Sequence, residues 1–153
     1  MSEKLLLQKK LKNIEIVNNK DIETYSCCNI KDFVKYTRTF IKGFNKPRYL
    51  FFSYFLNCYD RHYQMYLIKQ EGNIVGCFAL RNKGPKTVYL YDFTILSEYR
   101  GKGYSRRVLN LIYGLCIERN KLKLSLYVKK SNEVALELYK SEGFCIYTKK
   151  KHK

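Results

Sequence analysis

A turn rich in glycine and basic residues lies between a predicted apolar strand and a predicted helix, and its chemistry suits an anion. It spans residues 98–105 and contains Arg100, Gly101, Lys102 and Gly103. The two glycines leave backbone N–H groups accessible to a ligand. The start of the following helix adds about half a positive charge and further N–H groups that have no acceptor in the helix. The turn is therefore predicted to bind a phosphate or pyrophosphate.

A second polar stretch follows the next predicted strand. Asn132 is suited to cap a helix, Tyr139 lies further along that helix, and Gly143 is suited to end it. A phenol is a proton donor at neutral pH, so Tyr139 is a candidate general acid. Helical periodicity taken alone favours a core tyrosine instead.

The spacing of residues in both stretches matches two consecutive motifs of one enzyme superfamily. Arg100-x-x-Gly103-x-Ser105 resembles the Arg/Gln-x-x-Gly-x-Gly/Ala signature with which the GNAT N-acetyltransferases grip coenzyme A. The strand at 125–128 resembles the start of that superfamily's next block, which continues here with Ser131, Asn132, Ala135, Leu138, Tyr139, Gly143 and Phe144. The resemblance covers roughly residues 65–148 and implies acetyl-CoA as cosubstrate and no metal.

The resemblance also implies where coenzyme A would bind. Two strands that are neighbours up to the turn would diverge beyond it, and the pantetheine arm would lie in the gap. Residues 93–95 would pair with that arm, residues 101–106 would hold the pyrophosphate, and residues 132–135 would line the thioester end. The implied cofactor residues are Phe93, Thr94, Ile95, Arg100, Gly101, Lys102, Gly103, Tyr104, Ser105, Arg106, Asn132 and Ala135.

For catalysis, the resemblance assigns Tyr139 to protonation of the departing thiolate. Asp92 resembles the acidic residue with which polyamine acetyltransferases contact a cationic acceptor, so Tyr91 and Asp92 are expected to bind substrate. Strand alternation places Tyr89 and Tyr91 on the face opposite Asp92, where either could order a water molecule. Tyr127 stands where the ribosomal-protein and N-terminal acetyltransferases of the superfamily often carry a glutamate, so a carboxylate base is absent from that place.

The strands and helices that must position these residues indicate an α/β (α+β) fold with a mixed, mostly antiparallel central sheet flanked by helices. The predicted strands are 12–17, 63–70, 74–80, 87–96, 121–128 and 145–148, and the predicted helices begin near Asp32, Ser105 and Asn132. A helical crossover makes 121–128 parallel to 87–96. The resemblance implies that this pair is splayed after the fourth strand, 87–96.

The sequence leaves alternatives open for the structure of three stretches. Residues 1–13 suit a short helix or the lead-in to a strand, and Asp21 is a plausible helix cap. Residues 48–61 are aromatic on all sides and suit a helix or a strand, as core or as a wall of the acceptor pocket. The family's final strand is missing after 145–148, so a dimer partner or the N-terminal segment must cover the sheet edge, or lysines must guard it.

Composition bounds the remaining possibilities. The 153 residues suit a single domain, with residues 149–153 as a disordered basic tail. A net charge of +17 is consistent with a solvated lysine surface, with coenzyme A, or with contact to nucleic acid or a ribosome. The six cysteines lack the spacing of a zinc site. No signal peptide or long apolar run is visible, which predicts a cytoplasmic protein without a membrane segment.

The function expected from the sequence is transfer of acetyl from acetyl-CoA to a primary amine in a ternary complex. The acceptor would be a protein N-terminus, a lysine, or a small amine such as a polyamine, and the enzyme could be a homodimer. The alternative is a noncatalytic module that binds coenzyme A or nucleic acid. No stacking motif, helix-turn-helix signature or zinc spacing supports nucleic-acid binding.

Overall fold

A computed structural model describes residues 3–60 and 63–148, which form a seven-stranded sheet flanked by four helices. The strands are β1 (Lys4–Lys10), β2 (Ile22–Ser26), β3 (Gln64–Gln70), β4 (Asn73–Lys83), β5 (Thr87–Ile95), β6 (Lys123–Lys129) and β7 (Cys145–Ile146). The helices are α1 (Ile30–Gly43), α2 (Phe51–Asp60), α3 (Tyr104–Glu118) and α4 (Glu133–Ser141). The predicted tail at 149–153 lies outside the described residues.

The strand order is β2-β3-β4-β5-β6-β1-β7. β5 and β6 pair in parallel, and the other neighbours pair antiparallel. The mixed, mostly antiparallel sheet predicted from the sequence is therefore confirmed. The parallel pair is the one joined through α3, as a helical crossover requires.

Alternation along the central strands divides the core between the two faces of the sheet. One face of β3 and β4, with Tyr66, Ile68, Phe78 and Leu80, packs in a large cluster with buried residues of α3 and with Tyr139 of α4. The other face, with Met65, Leu67, Cys77 and Ala79, packs in a smaller cluster with Tyr36 of α1. The sheet thus separates a side covered by α3 and α4 from a side covered by α1.

The first helix begins later than Asp21, so the predicted cap at that residue is wrong. Residues after Asp21 form β2, which pairs with β3. The cap is Asn29, whose side-chain Oδ1 accepts a hydrogen bond from the Asp32 backbone N–H at 3.0 Å. A helix cap must be followed by residues that can adopt helical backbone angles. Residues 22–26 are paired with β3 and cannot, so a helix can begin only after Ser26.

The aromatic stretch after α1 is helical: a short 3₁₀ turn at Arg48–Leu50 leads into α2. Tyr54 of α2 packs on Phe40 of α1 with ring centroids 5.5 Å apart. The opposite side of α2 is open, because Phe52 is 76% exposed. The segment therefore belongs partly to the packing around α1 and partly to the surface.

The predicted strand at 12–17 is wrong, and the N-terminal strand is β1 instead. Leu7 of β1 is fully buried, since alternation carries it into the large core. Residues 14–17 form no strand and lie against α3, where Asn110 Oδ1 accepts a hydrogen bond from Val17 N–H at 2.8 Å. The Asn110 side chain also donates to the Glu15 carbonyl at 3.0 Å.

β1 lies between β6 and β7, with Leu7 opposite Leu126 on one side and Ile146 on the other. No strand follows β7 in the range that ends at residue 148. The N-terminal segment therefore covers the side of β6 that faces away from β5, which was one of the three expected solutions. β7 forms this edge of the sheet, and its neighbour β1 comes from a distant part of the sequence.

Replacing Leu7 by alanine should test how firmly β1 is held in the sheet. Removing a fully buried leucine side chain costs about 2–5 kcal/mol, and Leu7 is 0% exposed. We expect a loss of that order in the free energy of unfolding, measured by urea denaturation. Leu122→Ala is the matched control, since Leu122 is 53% exposed and should cost less than about 0.5 kcal/mol. Equal effects for both variants would contradict the docking of β1.

Candidate active site

The parallel pair β5–β6 opens partway along its length. Paired positions run from Thr87 and Lys123 to Leu90 and Leu126, and stop there. β5 continues to Ile95 and β6 to Lys129 without further pairing between them. The predicted splayed pair is confirmed, and it leaves a gap in the sheet.

A β-bulge in β5 lies at the start of this gap. The partner of Tyr91 in β4 is Ala79, whereas the partner of Thr94 is Cys77. Two residues of β5, Asp92 and Phe93, therefore lie opposite one residue of β4. Asp92 has a φ of +56°, a left-handed conformation that aspartate tolerates better than most residues.

The bulge overturns the expected placement of Asp92 and Tyr91 on opposite faces. The Asp92 carboxylate Oδ2 accepts a hydrogen bond from the hydroxyl of Tyr36 at 2.9 Å, and Tyr36 is a fully buried residue of α1. Tyr91 packs against the same α1-side cluster. The extra residue breaks the alternation of the strand, so both side chains lie on the α1 side. Tyr36 carries no local signal of this contact, because only the packing of α1 on the sheet brings it to Asp92.

A cavity of about 570 Å³ lies on the other side of the gap, between the end of β5, α3 and α4. The predicted residues that line it are Phe93, Thr94, Ile95, Arg100, Gly101, Gly103, Tyr104, Ser105, Arg106, Asn132, Ala135 and Tyr139. Gly43, Phe44, Tyr99, Val134 and Leu138 complete the lining. Lys102, Tyr91 and Asp92 are not among the lining residues. Phe44 carries no local signal, because only the packing of α1 brings it to the cavity.

The loop before α3 and the first turn of that helix carry a run of unpaired backbone N–H groups beside this cavity. Gly101 and Gly103 have φ values of +76° and +80°, and Gly103 is the N-cap of α3. A Cβ on either glycine would meet no atom within 4 Å, so the space beside them is open. Within the described part of the chain, the N–H groups of residues 101–106 have no acceptor. Unpaired N–H groups at a helix start suit an anion.

Arg100 joins the loop to α1. Its Nε donates to the Ile95 carbonyl at 2.8 Å, and its Nη2 donates to the Gly43 carbonyl at 2.7 Å. Gly43 needs to be a glycine, because a Cβ there would collide with the side chain of Thr94. The guanidinium therefore holds the end of β5 against the end of α1, and its charge stays beside the cavity.

Tyr139 lies on the wall of the cavity formed by α4. It is 8% exposed, and its ring meets Phe144 edge-on with centroids 5.4 Å apart. Burial raises the pKa of Tyr139 above the ordinary value for a phenol. The hydroxyl therefore stays protonated at neutral pH. Asn132 Oδ1 accepts a hydrogen bond from Ala135 N–H at 3.2 Å and caps α4, which fixes the start of the helix that carries Tyr139.

The sequence matches the profile of the Acetyltransferase (GNAT) family over residues 31–144. This chain belongs to that family. The match spans α1 to the residue before β7, and thus includes the gap, the glycine loop and α4. GNAT enzymes use acetyl-CoA as a cosubstrate.

Several relatives of the GNAT chain are known. An uncharacterized N-acetyltransferase, YycN of Bacillus subtilis, is 31% identical over 87 residues, which are 54% of this chain and 56% of YycN. A putative GNAT acetyltransferase of Novosphingobium aromaticivorans has a TM-score of 0.68 at 21% identity, covering 95% of this chain and 61% of its own. This GNAT chain therefore spans little more than half the length of these two relatives.

A third relative has been solved with its cosubstrate. The GNAT family acetyltransferase of Elizabethkingia anophelis, with acetyl-CoA bound, has a TM-score of 0.64 at 17% identity and covers 85% of this chain and 80% of its own. At this identity the likeness concerns the fold.

Between residues 3 and 148, leaving out 61 and 62, no cluster of three or more His, Cys, Asp or Glu side chains is suited to a metal ion. None of the helices in this part of the chain combines the length and apolar character needed to span a bilayer. Cytoplasmic location stays a prediction.

The glycine loop can be tested with two matched substitutions. Gly103→Glu should abolish acetyl-CoA binding in isothermal titration, because it puts a carboxylate into the space that an anion would occupy. Gly84→Glu is the control: Gly84 has a φ of +72° and open space around it, but lies in the β4–β5 turn. Both variants carry the same backbone strain of about 1–2 kcal/mol. Loss of binding in both would point to strain rather than to the loop.

Proposed function

We propose that this GNAT chain transfers the acetyl group of acetyl-CoA to a primary amine by direct attack in a ternary complex. The observation that carries the proposal is the meeting of two features in one cavity. The loop of residues 101–106 offers N–H groups without acceptors, and the buried phenol of Tyr139 lines the same space. One feature suits a pyrophosphate and the other a departing thiolate.

The proposed cosubstrate site fits the shape of the cavity. The pyrophosphate would accept hydrogen bonds from residues 101–106, with Arg106 on the wall and Lys102 adding charge from outside it. The pantetheine arm would lie along Phe93, Thr94 and Ile95, where β5 no longer pairs with β6. The thioester would then lie between the bulge and α4, near Asn132, Ala135 and Tyr139.

The reaction places defined demands on these residues. Acetyl-CoA supplies the thioester, whose C–S bond breaks as the new C–N bond forms and the amine loses a proton. Tyr139 donates its hydroxyl hydrogen to the sulfur as negative charge develops there. Holding the amine against the thioester can supply an effective molarity of about 10⁵ M or more. Alignment in the gap is therefore the larger part of the proposed mechanism.

The acceptor amine would approach from the α1 side of the gap. Asp92 and Tyr91 lie on that side, and the hydrogen bond from Tyr36 fixes the Asp92 carboxylate. An amine with a pKa of about 10.4 arrives protonated at neutral pH, so a fixed carboxylate would attract and orient it. Two protons must leave the nitrogen. A water molecule would carry the first to solvent before the attack, since Tyr127 stands where the ribosomal-protein and N-terminal acetyltransferases of the family often carry a glutamate. The second proton, released as the C–N bond forms, would replace the hydrogen that Tyr139 gives to the sulfur.

Tyr139→Phe tests the proposed acid. The variant keeps the ring that packs on Phe144, so acetyl-CoA affinity should be unchanged, while kcat should fall about 10²-fold. Tyr25→Phe, on β2 and away from the cavity, is the control. Because the pKa of Tyr139 is raised, the proton that it donates is retained at alkaline pH. The wild-type rate should therefore show no Tyr139-dependent fall up to about pH 10. Unchanged turnover in Tyr139→Phe would favour a noncatalytic role for this phenol.

Asp92→Asn tests the acceptor side. Asparagine also tolerates the left-handed backbone of this position, so the bulge should persist, and only the negative charge is lost. We expect KM for amines to rise about 10-fold, equivalent to about 1.4 kcal/mol, with acetyl-CoA affinity unchanged. Tyr36→Phe should raise KM in the same direction and by less, because the carboxylate remains but loses its fixed position. A normal KM in both variants would remove Asp92 from acceptor binding.

A further inference from the structure

Four tyrosines form a continuous row of rings across the sheet. The ring centroids of Tyr63 and Tyr91 are 4.7 Å apart, those of Tyr91 and Tyr89 6.2 Å, and those of Tyr89 and Tyr127 5.8 Å. We call these four residues the tyrosine row. These separations are typical of interacting aromatic pairs. Tyr127, at the end of the row, is 52% exposed and offers a ring to solvent.

The tyrosine row lies at the gap between β5 and β6. Pairing of the two strands stops at Leu90 and Leu126, and Tyr91 and Tyr127 are the next residue of each strand. Leu90 and Leu126 belong to the core on the α3 and α4 side, so alternation turns Tyr91 and Tyr127 to the opposite face. The row therefore borders the gap on the face away from the cofactor cavity.

Charge around the row disfavours a polyamine. The Arg81 guanidinium lies 5.4 Å from the centroid of the Tyr63 ring, and Lys83 Nζ lies 5.4 Å from that of Tyr89. Burial raises the pKa of Tyr89, and burial with the neighbouring Tyr63 raises the pKa of Tyr91 to about 12. The rings are thus neutral at physiological pH. The positive charges of Arg81 and Lys83 repel a ligand with several positive charges more than one with a single charge.

We propose that the tyrosine row is an acceptor subsite for a primary amine carried by a planar aromatic group. The aromatic group would stack on the exposed ring of Tyr127, and its amine would reach the gap between β5 and β6. As an acceptor subsite, the row rests on the proposed acetyl transfer. Binding of the aromatic amine by the tyrosine row can be measured whether or not the protein transfers acetyl groups.

Binding is measured first, with tryptamine as the probe. The protein contains no tryptophan, so indole fluorescence can be excited selectively and its change on binding reports the ligand alone. Tyr127→Leu should weaken tryptamine binding about fivefold, the loss of one ring contact, and Tyr127→Phe should restore it. Tyr25→Leu is the matched control, because Tyr25 is an exposed strand tyrosine with Lys69 Nζ 4.3 Å from its ring centroid.

Turnover measurements then distinguish the aromatic subsite from the proposed acetyl transfer. Acetylation should favour tryptamine over hexylamine and spermidine in kcat/KM, and Tyr127→Leu should remove most of that preference. Equal use of aromatic and aliphatic amines, or equal weakening by Tyr127→Leu and Tyr25→Leu, would overturn the aromatic subsite. Tyr127-dependent tryptamine binding without acetylation of any amine would support the subsite and reject the acetyl transfer. Unchanged acetyl-CoA affinity of Tyr127→Leu shows that the variant is folded.

Discussion

The end of backbone pairing between β5 and β6 is the constraint on which the rest of the site depends. Beyond Leu90 and Leu126 the two strands separate, and the bulge at Asp92 bends β5 away from the regular sheet. Backbone groups of β5 are then available to a ligand instead of to a neighbouring strand. A regular pair of strands would keep these backbone groups paired and leave no gap between β5 and β6.

Arg100 illustrates what a sequence motif leaves undetermined. Most of the loop that carries the motif lines the cavity. The guanidinium, however, donates to two backbone carbonyls, one at the end of β5 and one at the end of α1. Removing the side chain would therefore disturb the position of the loop as well as the local charge. Its backbone and its side chain have separate roles.

Local patterns predicted the parts of the fold that depend on neighbouring residues. The glycine loop and the cap at Asn132 follow from turn and cap chemistry within a few positions, and local residue patterns predicted the strands at 63–70 and 74–80. The place of β1 and the orientation of Asp92 did not follow. Pairing of β1 depends on strands distant in sequence, and one bulged residue reverses the face of a side chain. The tyrosine row is likewise visible only after β5 and β6 are placed side by side.

The insertion of β1 between β6 and β7 affects the order in which the chain can fold during synthesis. Leu7 and its partner Leu126 lie at opposite ends of the sequence, so β1 leaves the ribosome long before its neighbours exist. Contacts between distant residues form slowly, and an unpaired strand rich in leucine is prone to wrong association. The lysines at Lys4, Lys9 and Lys10 of β1 would keep the waiting strand apart from other nascent chains.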